Sequence, residues 1–477
     1  MKPKPEFEPM AELPESFTIT RRRPPQTPWP AVARWAVWLF TWTVALLPGV
    51  AAAADDQARI PAFPGAEGAG QWARGGRGGK VLAVINLNDA GPGSLRAALD
   101  TPGPRTVIFR VSGTIELTKG LRVAHPYLTI AGQTAPGDGI CLKGHELQIF
   151  NTDDIIVRHL RCRPGDKTSQ PGDLDAISLS DATDVIIDHC SATWSTDECL
   201  SVTRASDRVT VQHCLIAEAL TKHSYGSIIA SDRGAISYLH NLYANNIARN
   251  PRPGGYQSEK GHESDPGPRI DFRNNVLYNW SYGPGYTGAA DPASSERIAM
   301  NYVGNYLKPG PDTTAADRAR AFTIFEGGTA ELFLDGNQLE PPQPIRFQSE
   351  LLTVRPGSTL ILRATPIPFE LPAEKLTARE AYVQVLKSVG AVKPKRDAID
   401  TGIIAGVRDG TGRQKLTIAT DAWPVLSGKA PEPDSDGDGL PDAWEREHGL
   451  NEADAMDAAR VAGPEGWTHL ELWLNSL

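Results

Sequence analysis

Seven short β-branched segments recur along the middle of the chain with matched endings. They read IIVRHL, DVIIDHC, DRVTVQHC, GAISYLHN, RIDFRNN, IAMNYVGN and LFLDGN, and end at Leu160, Cys190, Cys214, Asn241, Asn275, Asn305 and Asn337. The intervals are 30, 24, 27, 34, 30 and 32 residues. A period of this size marks one supersecondary unit repeated, in which each unit needs its neighbours to bury an apolar face. The segments end in turn residues and carry no helical period, which excludes a helical solenoid. Two or three short strands per coil predict an all-β parallel β-helix. Asn recurring in one slot predicts an inward amide ladder, each side chain bonding the next coil. His159, His189, His213 and His240 stand one position ahead of that slot. Coil stacking accounts for them more simply than a row of metal ligands.

A solenoid releases a 477-residue chain from the limit on a single compact core, because each coil touches only its neighbours. The abundant Gly (45) and Pro (39) supply its turns. Residues 1–54 read as a targeting segment. Arg21, Arg22 and Arg23 precede an apolar run from Trp35 to Leu47, and Ala51 to Ala54 offer a cleavage site before Asp55. The run is short for a membrane span. The mature protein is expected to be secreted, extracellular or periplasmic, and to have no stable span after cleavage; an N-terminal anchor is the alternative. The TRRRPP context fits a twin-arginine signal poorly.

Residues 55–426 are expected to form the β-helix with its caps. A Gly-rich N-terminal cap reaches to about residue 115, with a short helix starting near Ser94, and coils run from about 116 to 345. A helix capped by the TARE box begins at Thr377 and stops near Gly390. Residues 427–433 read as a linker and 434–477 as a small separate module. Residues 1–54 carry a net +2, which leaves −11 on the remainder. A chain this acidic is not expected to bind nucleic acid. The five cysteines include no CxxC pair and read as buried apolar residues, with a Cys190–Cys214 disulfide as the alternative.

Three features could carry chemistry. Asp173 and Asp175 in GDLDAI, and Asp197 and Glu198 in WSTDECL, each lie just before a strand of their coils. Stacking would bring them together, and converging carboxylates repel unless a cation sits between them. Oxygen-only ligands select calcium or magnesium; the alternative is turn acids, each solvated. Lys222 and His223 in TKHSYG, and Arg249 and Arg252 in ARNPRP, supply positive charge. No GxSxG or comparable nucleophile constellation is present.

The stretch from Phe63 to about Trp280 resembles a pectate lyase of polysaccharide lyase family 1. The phrases that carry the resemblance are FPGAEGAG, GGRGGKV, NLNDAGPGSLRAAL, TVIFRVSGTI, LTIAGQTAPGDGI, IIVRHLRCRPGD, IIDHCSATWSTDE and HNLYANNIARNPR, in the family's order and over about half the chain. The resemblance implies a right-handed parallel β-helix acting on polygalacturonate or pectin, as a monomer, by calcium-dependent β-elimination. It places calcium ligands at Asp173 and Asp175 and, from the next coil, at Asp197 or Glu198, which with the acid clustering gives the set Asp173, Asp175, Asp197 and Glu198, and it places the catalytic arginine at Arg249. It places substrate contacts at Lys222, with His223 beside it, and at Arg252. A further family Asp falls here on Ser201 or Val202, a departure for which Glu198 is the candidate replacement. Alternatives are a lyase on methylated pectin or another uronate polymer, and a non-catalytic β-helix binding cell-wall polysaccharide. A β-helix hydrolase would need paired catalytic carboxylates instead.

Near the C-terminus, DSDGDGLPDAWE matches a calcium-loop pattern without a mismatch. It assigns Asp434, Asp436, Asp438, Asp442 and Glu445 as ligands and Gly439 to the turn. PEP precedes the loop, so the entering helix of an EF-hand is absent, and GWTHLELWLNSL predicts a closing helix.

Overall fold

The computed structural model describes residues 59–477, apart from 168–171, 222, 256, 258–260, 262–263, 288–295, 344 and 371–374. The targeting segment lies outside the described residues. Each coil of the chain turns at a fixed place. In one coil, the strand Asp207–Gln212 ends at His213, whose φ is +51°, and the chain leaves through Cys214 into the strand Leu215–Ala217. His159, His189, His240 and Asn274 hold the same corner at φ between +50° and +57°, and Gly304 and Gly336 take it over at +60° and +63°. His, Asn and Gly tolerate this left-handed region better than β-branched residues do.

Repeating that corner winds a right-handed parallel β-helix. The strands form parallel sheets of fifteen, nine and three members. The slot after each corner bears the predicted amide ladder. The backbone N–H of Cys214, Asn241, Asn275 and Asn305 each donates to the side-chain oxygen of the next Asn at 2.8–3.0 Å. The ladder ends on Gln348, which accepts from Asn337 N at 2.9 Å and which the repeat did not indicate. The four histidine rings stack at 4.7–5.1 Å, close to the spacing of adjacent strands. Asp188 beside them is occupied by Arg158, His189 and Gln212. Inside the coils, alternate residues such as Ile149, Leu179, Val202 and Ile229 make one continuous apolar core. All five cysteines are buried and free, and the alternative disulfide does not form.

The solenoid is longer than expected. Its first strand is Lys80–Val84, inside the anticipated Gly-rich cap, and its last is Thr359–Leu362. Gly76 and Gly79 permit this: a Cβ on either would meet the backbone of residues 104–105 at 2.0–2.1 Å. Ile177–Asp188 is one unbroken strand, bent at Asp181 and Asp184 where φ is positive. The helix after Ser94 spans Leu95–Leu99, and the boxed helix spans Ala378–Ser388. A second helix, Ala398–Asp409, was not foreseen. Both long helices bury Tyr382, Val385, Ile403 and Val407 against Leu215, Leu242 and Val276 of the nine-stranded sheet.

Residues 427–477 do not stand apart. Lys429 N donates to Pro136 O at 3.0 Å, and Gly428 pairs with Gly137, so the expected linker is pinned. The closing helix, His469–Ser476, packs Leu470, Trp473 and Leu474 against Ile108 and Ala131 of the first coils. Among the described residues, no helix is long and apolar enough to cross a membrane.

Candidate active site

Strands of the fifteen-stranded sheet open at Ile177, Leu200, Ile228 and Arg252 on successive coils. The residues just ahead of them therefore line up along the solenoid axis. Glu198, Tyr225 and Ala248 are in parallel register. This row brings together most of the predicted site.

Asp175, Asp197 and Glu198 have carboxylate oxygens within 4.8 Å of one another, and Asp173, Asp197 and His223 form a second such group through the shared Asp197. The predicted convergence of two coils is thus present. Burial, and next the Glu198 charge, push the Asp197 carboxyl up to about 7. Burial and then Glu198 raise Asp175 as well. Asp197 Oδ1 is buried without a hydrogen-bond partner. Crowded carboxylates with an unpartnered buried oxygen fit a hard divalent cation. Ser201 alternates outward from the core residues Leu200 and Val202 and offers a buried hydroxyl beside the acids.

Arg249 meets the acids from the next coils at a φ of +57°. Its guanidinium pairs with Glu198 and lies 3.9 Å from the centroid of the Tyr225 ring. Burial alone would lower its pKa, but the Glu198 charge and Tyr286 outweigh that and hold its proton more firmly than usual. His223 is half exposed, 3.5 Å from Asp173 and 3.8 Å from Asp197, and stacks on Tyr225. Arg252 is paired with buried Glu296 at 3.1 Å and reaches the groove less freely than its sequence position suggested. Lys222 lies outside the described residues. Sequence reasoning missed Tyr225, Tyr286 and Glu296. Tyr225 stands two residues beyond His223 in the same phrase, while Tyr286 and Glu296 come from a stretch without a repeat signature.

On the other side of the acids, a groove of about 450 Å³ includes Leu174, which separates Asp173 from Asp175. Lys119 and Arg122 line it from earlier coils and are exposed, with Arg122 resting 3.9 Å over the Phe150 ring. Positive charge thus flanks the acid cluster along the row.

In the C-terminal loop, Asp434, Asp436 and Asp438 form one group of close oxygens, and Asp438, Glu445 and Asp457 form another. Asp442 departs from its expected place as a ligand. Its two oxygens accept from Ser435 N and Oγ at 2.7 and 2.8 Å.

The acid cluster thus faces Arg249 on one row of a parallel β-helix. No family profile matches the chain. It is 38% identical over 423 residues to a probable pectate lyase C of Aspergillus terreus, covering 87% of this chain and 94% of that protein. It is 37% identical over 427 residues to a probable pectate lyase C of Aspergillus flavus, covering 88% and 94%. Among solved structures, the thermostable pectate lyase PL 47 overlaps 69% of this chain and 97% of its own at 15% identity, with a TM-score of 0.49. The chain belongs to the pectate lyase family, polysaccharide lyase family 1, and is an enzyme of lyase type.

Proposed function

We propose that this enzyme is a secreted, calcium-dependent pectate lyase that cleaves α-1,4-polygalacturonate by β-elimination to unsaturated oligogalacturonates. The observation that carries this reading is the meeting of Asp173, Asp175, Asp197 and Glu198 with Arg249 on one row of the solenoid. In this reaction the C5–H bond breaks, a C4=C5 double bond forms and the C4–O4 bond breaks, O4 leaving as the hydroxyl of the departing chain after taking a proton from water. Negative charge accumulates beside the C5 carboxylate, so the site must neutralise it. Held by Asp175, Asp197 and Glu198, with Asp173 close to the shared Asp197, calcium would supply that neutralisation and join an acidic protein to an acidic polymer.

The chain's own residues take the remaining roles. Arg249 is the group assigned to receive the C5 proton. The Glu198 pairing favours its charged form, so proton transfer requires that grip to loosen, and the rate should be greatest at alkaline pH. Tyr225 supports the guanidinium from beneath and fixes its direction. Glu296 orients Arg252, which is assigned to a uronate carboxylate of the substrate. His223 and Lys222 complete the substrate contacts of the proposal, and Lys119 and Arg122 extend the attraction for a polyanion along the row. The enzyme is proposed to act as a monomer.

The test is the ultraviolet absorbance of unsaturated uronide on polygalacturonate, with calcium and with excess chelator. Activity that needs calcium supports the reading. Undiminished turnover in chelator removes the calcium role and favours methylated pectin as substrate.

A further inference from the structure

The C-terminal loop lies directly on the first coils of the solenoid. Gly439, at a φ of +99°, is so close that a Cβ there would stand 2.7 Å from Val81 and 3.4 Å from Ile108. Arg110 in the first coils pairs with Asp434 at 3.3 Å, and Arg77 pairs with Glu471 of the closing helix at 2.8 Å. Gln133 Nε2 donates to Leu474 O at 3.3 Å. Whatever organises this loop therefore also fixes the last helix over the solenoid's N-terminal end.

Inside the loop, Glu445 is fully buried, and neither of its carboxylate oxygens has a hydrogen-bond donor. Asp457 is 1% exposed with Oδ1 unpartnered, and Asp436 Oδ2 is likewise buried and unpartnered. Buried carboxylate oxygens facing one another without donors are strongly unfavourable unless a cation fills the space between them. Asp438 joins the two groups, since its oxygens lie close to those of Asp434 and Asp436 on one side and of Glu445 and Asp457 on the other. Its own backbone donors, Leu440 N and Ala458 N at 2.9 and 3.1 Å, hold it in that central position. Asp442 faces away to brace Ser435.

We propose that Asp434, Asp436, Asp438, Glu445 and Asp457 bind one calcium ion that clasps the C-terminal segment to the first coils, with Asp457 in the place that the loop pattern gives to Asp442. An all-carboxylate set drawn from a loop, a helix and a distant turn suits the flexible coordination of calcium. Magnesium demands a stricter octahedron and keeps several waters. The clasp is separate from the catalytic row and does not rest on the proposed reaction.

The experiment uses the full chain carrying Asp197→Asn, which weakens calcium binding at the catalytic row and leaves this loop as the calcium site to be read. Calcium is titrated after chelation, and three readouts are followed: heat of binding, the thermal midpoint, and terbium emission sensitised by Trp444 in the helix Asp442–His448. Glu445→Gln and Asp457→Asn should each weaken calcium binding by about 100-fold or more and abolish the calcium-dependent rise in midpoint. Asp442→Asn should retain both. If either of the first two fails to fold, Asp436→Asn is read in its place. Limited proteolysis adds a readout without substitution at the loop: calcium should protect the chain beyond Ser427. The proposal is overturned if Asp442→Asn abolishes binding while Asp457→Asn preserves it. It is equally overturned if calcium gives neither a midpoint rise nor protection in the Asp197→Asn chain.

Discussion

Asn275→Ala removes one rung from the middle of the amide ladder. Its Oδ1 accepts from Asn241 N and Nδ2 at 2.9 and 3.1 Å, and its Nδ2 donates to Tyr238 O and Asn305 Oδ1 at 2.9 and 3.2 Å. Asn241 Nδ2 keeps Val211 O, and Asn305 Oδ1 keeps the backbone N–H of residue 275. The Asn241 N–H loses its acceptor inside a coil where water has no access, because residues 241 and 275 are both fully buried. One orphaned buried donor costs about 1–3 kcal/mol, and the three remaining bonds contribute roughly 1 kcal/mol each. The expected loss is about 4–6 kcal/mol, or roughly 10³–10⁴-fold in the unfolding equilibrium. Gln348→Ala, at the partly exposed end of the same ladder, should cost about 1–2 kcal/mol by the same reasoning. Guanidinium unfolding followed by far-ultraviolet circular dichroism compares the two with the parent chain. A loss below about 1 kcal/mol for Asn275→Ala, or equal losses at the two positions, would refute the cooperative ladder.

Calcium affinity at the catalytic row should rise with pH up to about 7, because the cation competes with the proton that burial and Glu198 retain on Asp197. Calorimetry at pH 6 and pH 8 should show the weaker binding at pH 6 accompanied by proton release. Without calcium the sign for stability is opposite. The folded-state pKa of Asp197 is raised from 3.8, so its contribution is present at low pH and is lost as pH climbs through that window to about 7; unfolding midpoints in chelator at pH 5 and pH 8 test this. Lys119→Glu combined with Arg122→Glu should raise KM for long polygalacturonate several-fold, leave kcat nearly unchanged, and matter less for short oligomers that do not reach the groove. Tyr225→Leu should lower kcat by about tenfold by removing the surface beneath Arg249, a contact worth roughly 1–2 kcal/mol.

The solenoid was legible because its signal is repeated: the same slot recurs seven times, and each recurrence is enforced by the coil before it. The acid cluster was legible for the same reason, since Asp175 and Glu198 hold equivalent positions ahead of strands on adjacent coils. What lay outside the period was not legible. The first coils hide in a glycine-rich stretch where close backbone approach, rather than β-branched residues, marks the strands. Glu296 meets Arg252 from 44 residues away, through a segment with no repeat to place it. Asp457 joins the C-terminal loop by tertiary packing, which a linear pattern ending at Glu445 cannot register. Conversely, Asp442 satisfied the pattern but found a nearer partner in Ser435.

The account depends most directly on Arg249 as the group that takes the proton. Steady-state kinetics of Arg249→Lys on polygalacturonate at saturating calcium test it, with circular dichroism to confirm an intact β-helix. Lysine keeps the charge beside Glu198 but loses the guanidinium's planar fork and its stack on Tyr225. The account predicts that kcat and kcat/KM fall together by about 10²–10⁴, the range for loss of a positioned general base. A variant that retains a tenth or more of the parent kcat, with the loss confined to KM, would contradict it.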